Sequence, residues 1–420
     1  MAKLSTIPEQ TRQQLEQIGT VDLVIGLVDE KASANIVAIA GIIRQGLERL
    51  SKSTRTVIMH RNSDSAAAAL SQGELEDDSL RLLSYSLPAP DPSLTVMQST
   101  FNAYRTVGEI SQDLSSRACV VLASSPASLT PEWIYGLAQP ILERDYDLVT
   151  PCYLPHKFEG LLNNAILCPL IRALYGKQIQ NPLGPDLGFS ARLSQDILHP
   201  DPARVRGAST YQPLLIGTEA IVRGHRVCQA HLGMRIYPPI DWKNLDSILA
   251  AVLDPLFLGV ERDAPFWQHI RSSEGVATYG APFPFAEESV TVDVRRLLEL
   301  FKLGVRNLQD IWGLVLPPAA LLELRKVDRL SPEQFRIPDE LWVRIVYDFA
   351  LAYRLRTIGR DHLLRALTPL YLGWVASYAV EVEPINGAAV QRRLERLDAA
   401  YETGKPYLVS RWRWPDRFNP

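Results

Sequence analysis

The chain has 420 residues, a formal net charge of −3 and 46% hydrophobic residues. This length accommodates one large α/β domain with a helical addition, and the composition is that of an ordinary folded protein. The slightly negative charge argues against a protein that coats nucleic acid by neutralising its phosphates. The four cysteines lie far apart without zinc-site spacing, which indicates buried thiols in a reducing compartment.

The first half of the chain carries the signals of a sheet packed between helices. The run at 22–28 is almost continuously apolar, as in a strand buried on both faces of a parallel sheet. A helical pattern follows, and a second strand at 56–60 ends in polar residues. Another strand at 118–122 precedes a helix that begins at Pro131. These alternations predict an α/β fold with a mixed, mostly parallel sheet and helices on both faces.

From about residue 245 onward, helical periodicity replaces the short apolar runs. We therefore predict two domains, 1–244 and 245–420, the second one helical. The longest apolar run, 366–380, is too short to span a bilayer and contains Pro369. It is interpreted as a buried helix, and with a polar N-terminal stretch the expectation is a cytoplasmic protein without a membrane span.

The stretch 147–190 has the composition of a ligand-site wall. A strand leads into a polar loop with Tyr153, His156 and Lys157, then into an amphipathic helix at 161–175 that contains Arg172. A return rich in glycine and proline closes the stretch and carries a single acid, Asp186. The alternative is a connector, in which Asp186 caps a turn and Arg172 forms a surface ion pair.

Three motifs in this stretch carry a resemblance: YLPHKFEG, PLIRALYGK and PLGPDLGFS. They resemble the retaining glycosyltransferases of GT-A fold that make glucosylglycerate, mannosylglycerate and their phosphorylated precursors. The resemblance runs through most of the chain. It implies a Rossmann-like, nucleotide-diphospho-sugar transferase fold, a nucleotide-sugar donor, a small anionic glycerate-like acceptor and a homodimer.

Residue roles follow from the same resemblance. On the acceptor side it implies a set of five residues, Tyr153, His156, Lys157, Arg172 and Asp186. On the nucleobase side, Asn62 and Asp64 resemble an Asn-Ser-Asp motif of that family. Asp29 ends the first strand, where a nucleobase could be bound; the alternative is an ordinary exposed acid at a strand end.

The donor side departs from the resembled family. That family carries an Asp-x-Asp pair after the fourth core strand, where carboxylates hold a divalent cation against the nucleotide diphosphate. Here the positions read Ala123, Ser124 and Ser125, and the metal-binding histidine is replaced by Tyr237. A Gly-Lys-Gly turn is replaced by the residues at 99–101. We therefore expect a degenerate donor site and no divalent metal or other cofactor.

Two functions remain open on the sequence. The first is a catalytically degenerate glycosyltransferase relative that acts as a ligand-binding, regulatory or interaction protein, with a possible protein partner. The second is an active, metal-independent glycosyltransferase, in which a basic side chain takes the place of the cation. The candidates for that positively charged side chain are Arg61, Arg117 and Arg235. A nearby imidazole, His231, is a further candidate ligand, although a lone strand histidine is more often structural.

Overall fold

The computed structural model describes residues 9–28, 32, 35–61, 77–85, 96–199, 213–236, 244–286 and 292–415. The strands within them are β1 (Leu23–Leu27), β2 (Thr56–Arg61), β3 (Leu80–Tyr85), β4 (Ala118–Leu122), β5 (Leu148–Tyr153), β6 (Lys177–Gln178), β7 (Leu187–Ser190), β8 (Val227–Gly233), β9 (Glu274–Gly275) and β10 (Ala277–Tyr279).

The α-helices of the first half within the same residues are α1 (Glu9–Ile18), α2 (Ile36–Leu47), α3 (Val96–Asp113), α4 (Pro131–Arg144), α5 (Cys168–Tyr175), α6 (Ala191–Leu198) and α7 (Pro213–Val222). Those of the second half are α8 (Leu245–Arg262), α9 (Ala264–Trp267), α10 (Val294–Asn307), α11 (Gln309–Val315), α12 (Pro318–Asp328), α13 (Asp339–Leu355), α14 (Arg360–Val382) and α15 (Gly387–Arg413). One π-helical turn, Asn163–Leu167, leads directly into α5.

Eight strands form one sheet in the order β10-β8-β5-β7-β4-β1-β2-β3. Strand β7 runs antiparallel to its neighbours β4 and β5, and every other pair is parallel. Both faces are covered: Leu23, Ile25 and Leu27 pack in one cluster with α2 and α4, while Gly26 faces Val107 of α3. The α/β class and the mixed, mostly parallel sheet predicted from the sequence are confirmed.

Several boundaries differ from the prediction, each for a local reason. Tyr153, which was predicted in the polar loop, is the last residue of strand β5, because the residues on both sides of Pro151 are buried against β8. Strand β3 was not among the predicted strands, since its acidic and proline-rich neighbours hide its short pattern. The residues at 99–101, expected as a turn, have helical backbone within α3.

The chain divides into two compact units. The first contains residues 1–154, 181–238 and 276–283, and the second contains 155–180, 239–275 and 284–420. This division differs from the boundary near 245, because the segment 155–180 groups with the helices and β10 joins the sheet. The expectation that everything beyond 245 is helical was wrong at 274–279, where β9 and β10 occur.

The second unit has its own apolar core. Trp342 of α13 and Trp374 of α14 are fully buried with ring centroids 6.0 Å apart, and the indole of Trp342 donates to the carbonyl of Ala165 at 2.9 Å. The apolar run at 366–380 lies in α14, largely buried as expected. Within the residues described, no helix combines the length and hydrophobicity needed to cross a membrane.

Candidate functional site

The carboxyl ends of the parallel strands meet at one edge of the sheet. Strand β4 ends there and is followed by Ala123, Ser124 and Ser125. Because β7 is antiparallel, its first residues lie at the same edge, directly after Asp186. The edge is therefore where the chain brings together residues that are more than 60 positions apart.

Asp186 is fully buried, with none of its surface exposed, and its carboxylate accepts four hydrogen bonds. Oδ1 accepts from the backbone amides of Ala123 at 2.8 Å and Ser124 at 2.9 Å. Oδ2 accepts from the Ser124 hydroxyl at 2.5 Å and from the Tyr153 hydroxyl. Several charge-assisted donors are what a buried carboxylate requires, since an unpaired buried charge is costly. Asp186 thus holds the backbone of Ala123 and Ser124 in place after β4.

Two glycines allow the return segment to approach this edge. A Cβ on Gly184 would lie 2.2 Å from Cγ of Pro151, and a Cβ on Gly188 would lie 2.3 Å from the carbonyl oxygen of Leu137. Neither position leaves room for a side chain, so close packing explains these glycines. Their consequence is the placement of Asp186 beneath the end of β4.

Arg235 places a positive charge beside this network. Its Nε donates to the Ser124 hydroxyl oxygen at 2.9 Å, and its guanidinium lies 5.1 Å from the centroid of the Tyr153 ring. The side chain is partly exposed, and a stacked guanidinium is well suited to binding phosphate or carboxylate. Of the three arginines proposed from the sequence, this one lies at the edge with Ser124.

Tyr104 completes the cluster and was missed in the sequence analysis. Its hydroxyl donates to the carbonyl of Pro185, next to Asp186. Burial raises the pKa of Tyr104 well above its usual value, and the negative charge of Asp186 adds to this effect. Tyr104 therefore stays protonated as a donor. Its position in the apolar stripe of α3 was visible in the sequence, but its distant carbonyl partner was not.

The other predicted acceptor residues belong to the second unit. Nε2 of His156 lies 3.4 Å from Oε2 of Glu159, and Nζ of Lys157 donates to the carbonyl of Glu383 at 3.4 Å. The Tyr153 hydroxyl is hydrogen-bonded to Asp186, and both residues belong to the first unit. A single pocket formed by all four predicted side chains stays a prediction.

Arg172 behaves as the alternative interpretation describes. Its Nε lies 3.2 Å from Glu402 and its Nη1 lies 3.3 Å from Asp398, both on α15. Burial raises the pKa of Asp398 to about 6, while Arg172 opposes that rise. These contacts anchor α5 to α15, and they occupy the guanidinium within the protein.

Predicted nucleobase-side residues Asp29, Asn62 and Asp64 lie outside the described part of the chain, as does Tyr237. His231 is described, and its ring meets Phe283 edge-on at 6.2 Å between centroids. Burial lowers the pKa of His231 below its usual value. A neutral imidazole packed on an aromatic ring is consistent with the structural role considered for it.

These features define the class: an α/β protein whose polar groups gather at the carboxyl-terminal edge of a mixed sheet, joined to a helical unit. No protein-family profile matches the chain, and no curated protein matches it. Solved structures do match, at low identity.

One matching structure is glucosyl-3-phosphoglycerate synthase from Mycobacterium tuberculosis, solved with Mn²⁺, uridine-diphosphate-glucose and phosphoglyceric acid. It shares 18% identity with a TM-score of 0.34, over 61% of this chain and 85% of that chain. Another is mannosyl-3-phosphoglycerate synthase from Rubrobacter xylanophilus, with 13% identity and a TM-score of 0.35, over 63% of this chain and 81% of that chain.

The expectation that no divalent metal takes part is corrected by the first of these structures, which contains Mn²⁺. Mn²⁺ prefers carboxylate, carbonyl and water ligands. At the end of β4 the described residues offer the hydroxyls of Ser124 and Ser125 and the carboxylate of Asp186, whose oxygens already accept four hydrogen bonds. These residues alone do not fit a carboxylate-held cation.

Proposed function

We propose that this chain is a glycosyltransferase-like protein of GT-A type that binds a phosphate-containing ligand at the carboxyl-terminal edge of its sheet, and whose catalytic function has degenerated. The single observation that carries the proposal is the hydrogen-bond saturation of Asp186 beneath Ala123 and Ser124. An acid with four committed donors holds a backbone in place. With both oxygens occupied by these donors, it has no free oxygen with which to contact a sugar.

The charge at this edge favours anion binding. Asp186 is fully buried and Tyr104 stays protonated, so among the described residues of this edge the charged group that reaches solvent is Arg235. A guanidinium offers several N–H donors in a planar fork that matches a phosphate. The Ser124 hydroxyl orients it from one side and the Tyr153 ring supports its face.

The ligand class is taken from the resemblance in sequence and from the ligands of the Mycobacterium tuberculosis structure, uridine-diphosphate-glucose and phosphoglyceric acid. We propose a nucleotide sugar on the side of Ala123, Ser124 and Ser125, with Asp29, Asn62 and Asp64 near its base. We propose a small anionic acceptor near a second set of side chains, Tyr153, His156 and Lys157.

Arg172 and Asp186 position the chain in this proposal, since both are engaged by internal partners. A homodimer is proposed from the resemblance alone, and sedimentation velocity of the purified chain tests it. A protein partner is proposed from the degenerate donor motifs. Cytoplasmic location is proposed from the sequence.

A second candidate is an active glycosyltransferase that transfers a sugar from the nucleotide to the acceptor. Arg235 favours it, because a fixed positive charge beside the strand ends would stabilise the charge that develops on a departing diphosphate. The two candidates share a ligand site and differ only in turnover.

Titration calorimetry with uridine- and guanosine-diphosphate sugars, in the presence of Mn²⁺ and of Mg²⁺, tests binding. We expect binding that Arg235→Gln weakens by about tenfold to hundredfold, the worth of a charge-assisted hydrogen bond. The exposed Arg49→Gln, whose partner is Glu132 at 2.8 Å, is the matched control. Release of nucleotide diphosphate with 3-phosphoglycerate as acceptor measures turnover.

Binding without turnover supports the degenerate protein. Turnover that Arg235→Gln abolishes establishes the active enzyme instead. Absence of binding to every nucleotide sugar, with metal present, refutes both candidates.

A further inference from the structure

Arg235 lies in a short segment directly after strand β8, and the backbone of this segment is held on both sides of the arginine. Two residues before it, the carbonyl of Gly233 accepts the backbone amide of Leu154 at 2.7 Å. One residue after it, the backbone amide of Ile236 donates to the hydroxyl oxygen of Ser128 at 3.0 Å. The course of the chain through Arg235 is therefore restrained by one partner at the end of β5 and by another after β4.

Gly233 sets the direction in which the chain leaves β8. Its φ is 88°, in the left-handed region that favours glycine. A Cβ at this position would lie 3.3 Å from Cζ of Phe283. An alanine here would combine backbone strain with a close contact, so the turn that leads toward the segment after β4 depends on the glycine.

Ser128 is the buried member of this arrangement. Only 4% of its surface is exposed, and it ends a 3-10 turn, Pro126–Ser128, in which its own amide donates to the carbonyl of Ser125 at 2.8 Å. The stretch after β4 thus contacts the Arg235 segment twice, through the hydroxyl of Ser124 and through that of Ser128. The first contact orients the guanidinium, and the second restrains the backbone that carries it.

We propose that Ser128 is a positioning residue for the ligand site: by accepting the amide of Ile236, it holds Arg235 in the orientation that binds a phosphate. The inference rests on the proposed function, which makes Arg235 the phosphate-binding side chain. A side chain that is already ordered in the free protein loses less conformational freedom when the ligand binds. Loss of the Ser128 hydroxyl therefore weakens phosphate binding through the arginine.

Titration calorimetry on the full chain with uridine-diphosphate-glucose and guanosine-diphosphate-glucose, in the presence of Mn²⁺, tests the proposal. Ser128→Ala is expected to weaken binding by about threefold to tenfold, the value of one neutral hydrogen bond. In an Arg235→Gln background the same substitution is expected to change affinity by less than about twofold, because the two residues act through one interaction and their effects are not additive.

Ser190→Ala is the matched control. Ser190 is 6% exposed, and its hydroxyl oxygen likewise accepts a backbone amide, that of Leu193 at 3.2 Å. It is the last residue of β7, so it lies at the opposite end of that strand from Asp186. This substitution should lower stability but change affinity by less than about twofold.

A second measurement needs no ligand. In the free protein, the NMR order parameter of the Arg235 Nε–H bond should fall in Ser128→Ala and keep its wild-type value in Ser190→Ala. Gly233→Ala, which strains the backbone before the arginine, should lower the same order parameter.

The inference is overturned by an unchanged order parameter or an unchanged affinity in Ser128→Ala. It is also overturned by a loss of affinity that is equally large in the Arg235→Gln background. Failure of the proposed function has a different signature: the wild type binds neither nucleotide sugar, or Arg235→Gln binds as tightly as the wild type. Either of those results removes the ligand site to which Ser128 is assigned, whatever the order parameter of Arg235 shows.

Discussion

Replacing Asp186 with asparagine tests whether this acid organises the edge of the sheet. The amide oxygen of asparagine can still accept from Ala123 and Ser124 N–H. Its NH₂ group, however, would face the hydroxyls of Ser124 and Tyr153, which both donate to the carboxylate. A hydrogen bond to a charged group contributes about 1.5–3 kcal/mol, and rotation of the hydroxyls recovers part of two such bonds. We therefore expect Asp186→Asn to reduce the free energy of unfolding by about 2–4 kcal/mol.

Urea denaturation measures this loss, and hydrogen exchange of the Ala123 and Ser124 amides localises it, because both amides donate to Asp186. The matched control is Asp145→Asn. The Asp145 side chain is 72% exposed, and its φ of 57° suits asparagine. The control should change stability by less than about 0.5 kcal/mol. A change that small in Asp186→Asn, with unaltered exchange, would refute the role assigned to the acid.

Two further substitutions probe packing and titration. Gly188→Ala places a Cβ 2.3 Å from the Leu137 carbonyl oxygen, so it should destabilise the protein by about 1–3 kcal/mol in urea denaturation. The control is Gly313→Ala, which lies in open space on a helix and should be neutral or slightly stabilising. Equal changes in stability for the two variants would contradict this account. Burial raises the pKa of Asp398 from 3.8 to about 6, so the folded state holds this proton more tightly, and its contribution to stability falls as the pH rises from about 4 to about 6. Asp398→Asn should remove this loss of stability when the free energy of unfolding is measured between about pH 4 and about pH 6. The control Asp361→Asn, at an exposed position, should retain the loss. If the pH dependence of Asp398→Asn equals that of the wild type, the pKa of Asp398 is not raised.

The sequence predicted the sheet where apolar runs are long enough to stand out, as in β1 and β4. It missed β3 and β10, because a strand of six or three residues carries too little pattern to distinguish it from a connection. The split of the chain into units was also out of reach. The segment 155–180 groups with helices that come much later in the chain, and local periodicity contains no information on such contacts.

At the candidate site, the sequence predicted that Tyr153 and Asp186 share a pocket, because a return rich in glycine and proline folds back on the strand before it. The two side chains are hydrogen-bonded to each other, while the shared pocket stays a prediction. It could not show that the partners of Asp186 are the backbone amides of Ala123 and Ser124, since every residue has such amides. The three candidate arginines could have been reduced to two from the sequence. Arg117 precedes β4, so it lies at the opposite end of that strand from Ala123.

Strand β7 has a consequence for how the first unit is completed during synthesis. Strands β4 and β5 follow one another in the chain, yet within the described sheet they are joined only through the four residues of β7. While a ribosome is still making residues before 187, both strands present unpaired edges in an apolar setting. Strand β5 also pairs with β8, which is made later still, so its other edge stays unpaired beyond this interval. Unpaired edges of this kind expose a nascent chain to wrong pairing.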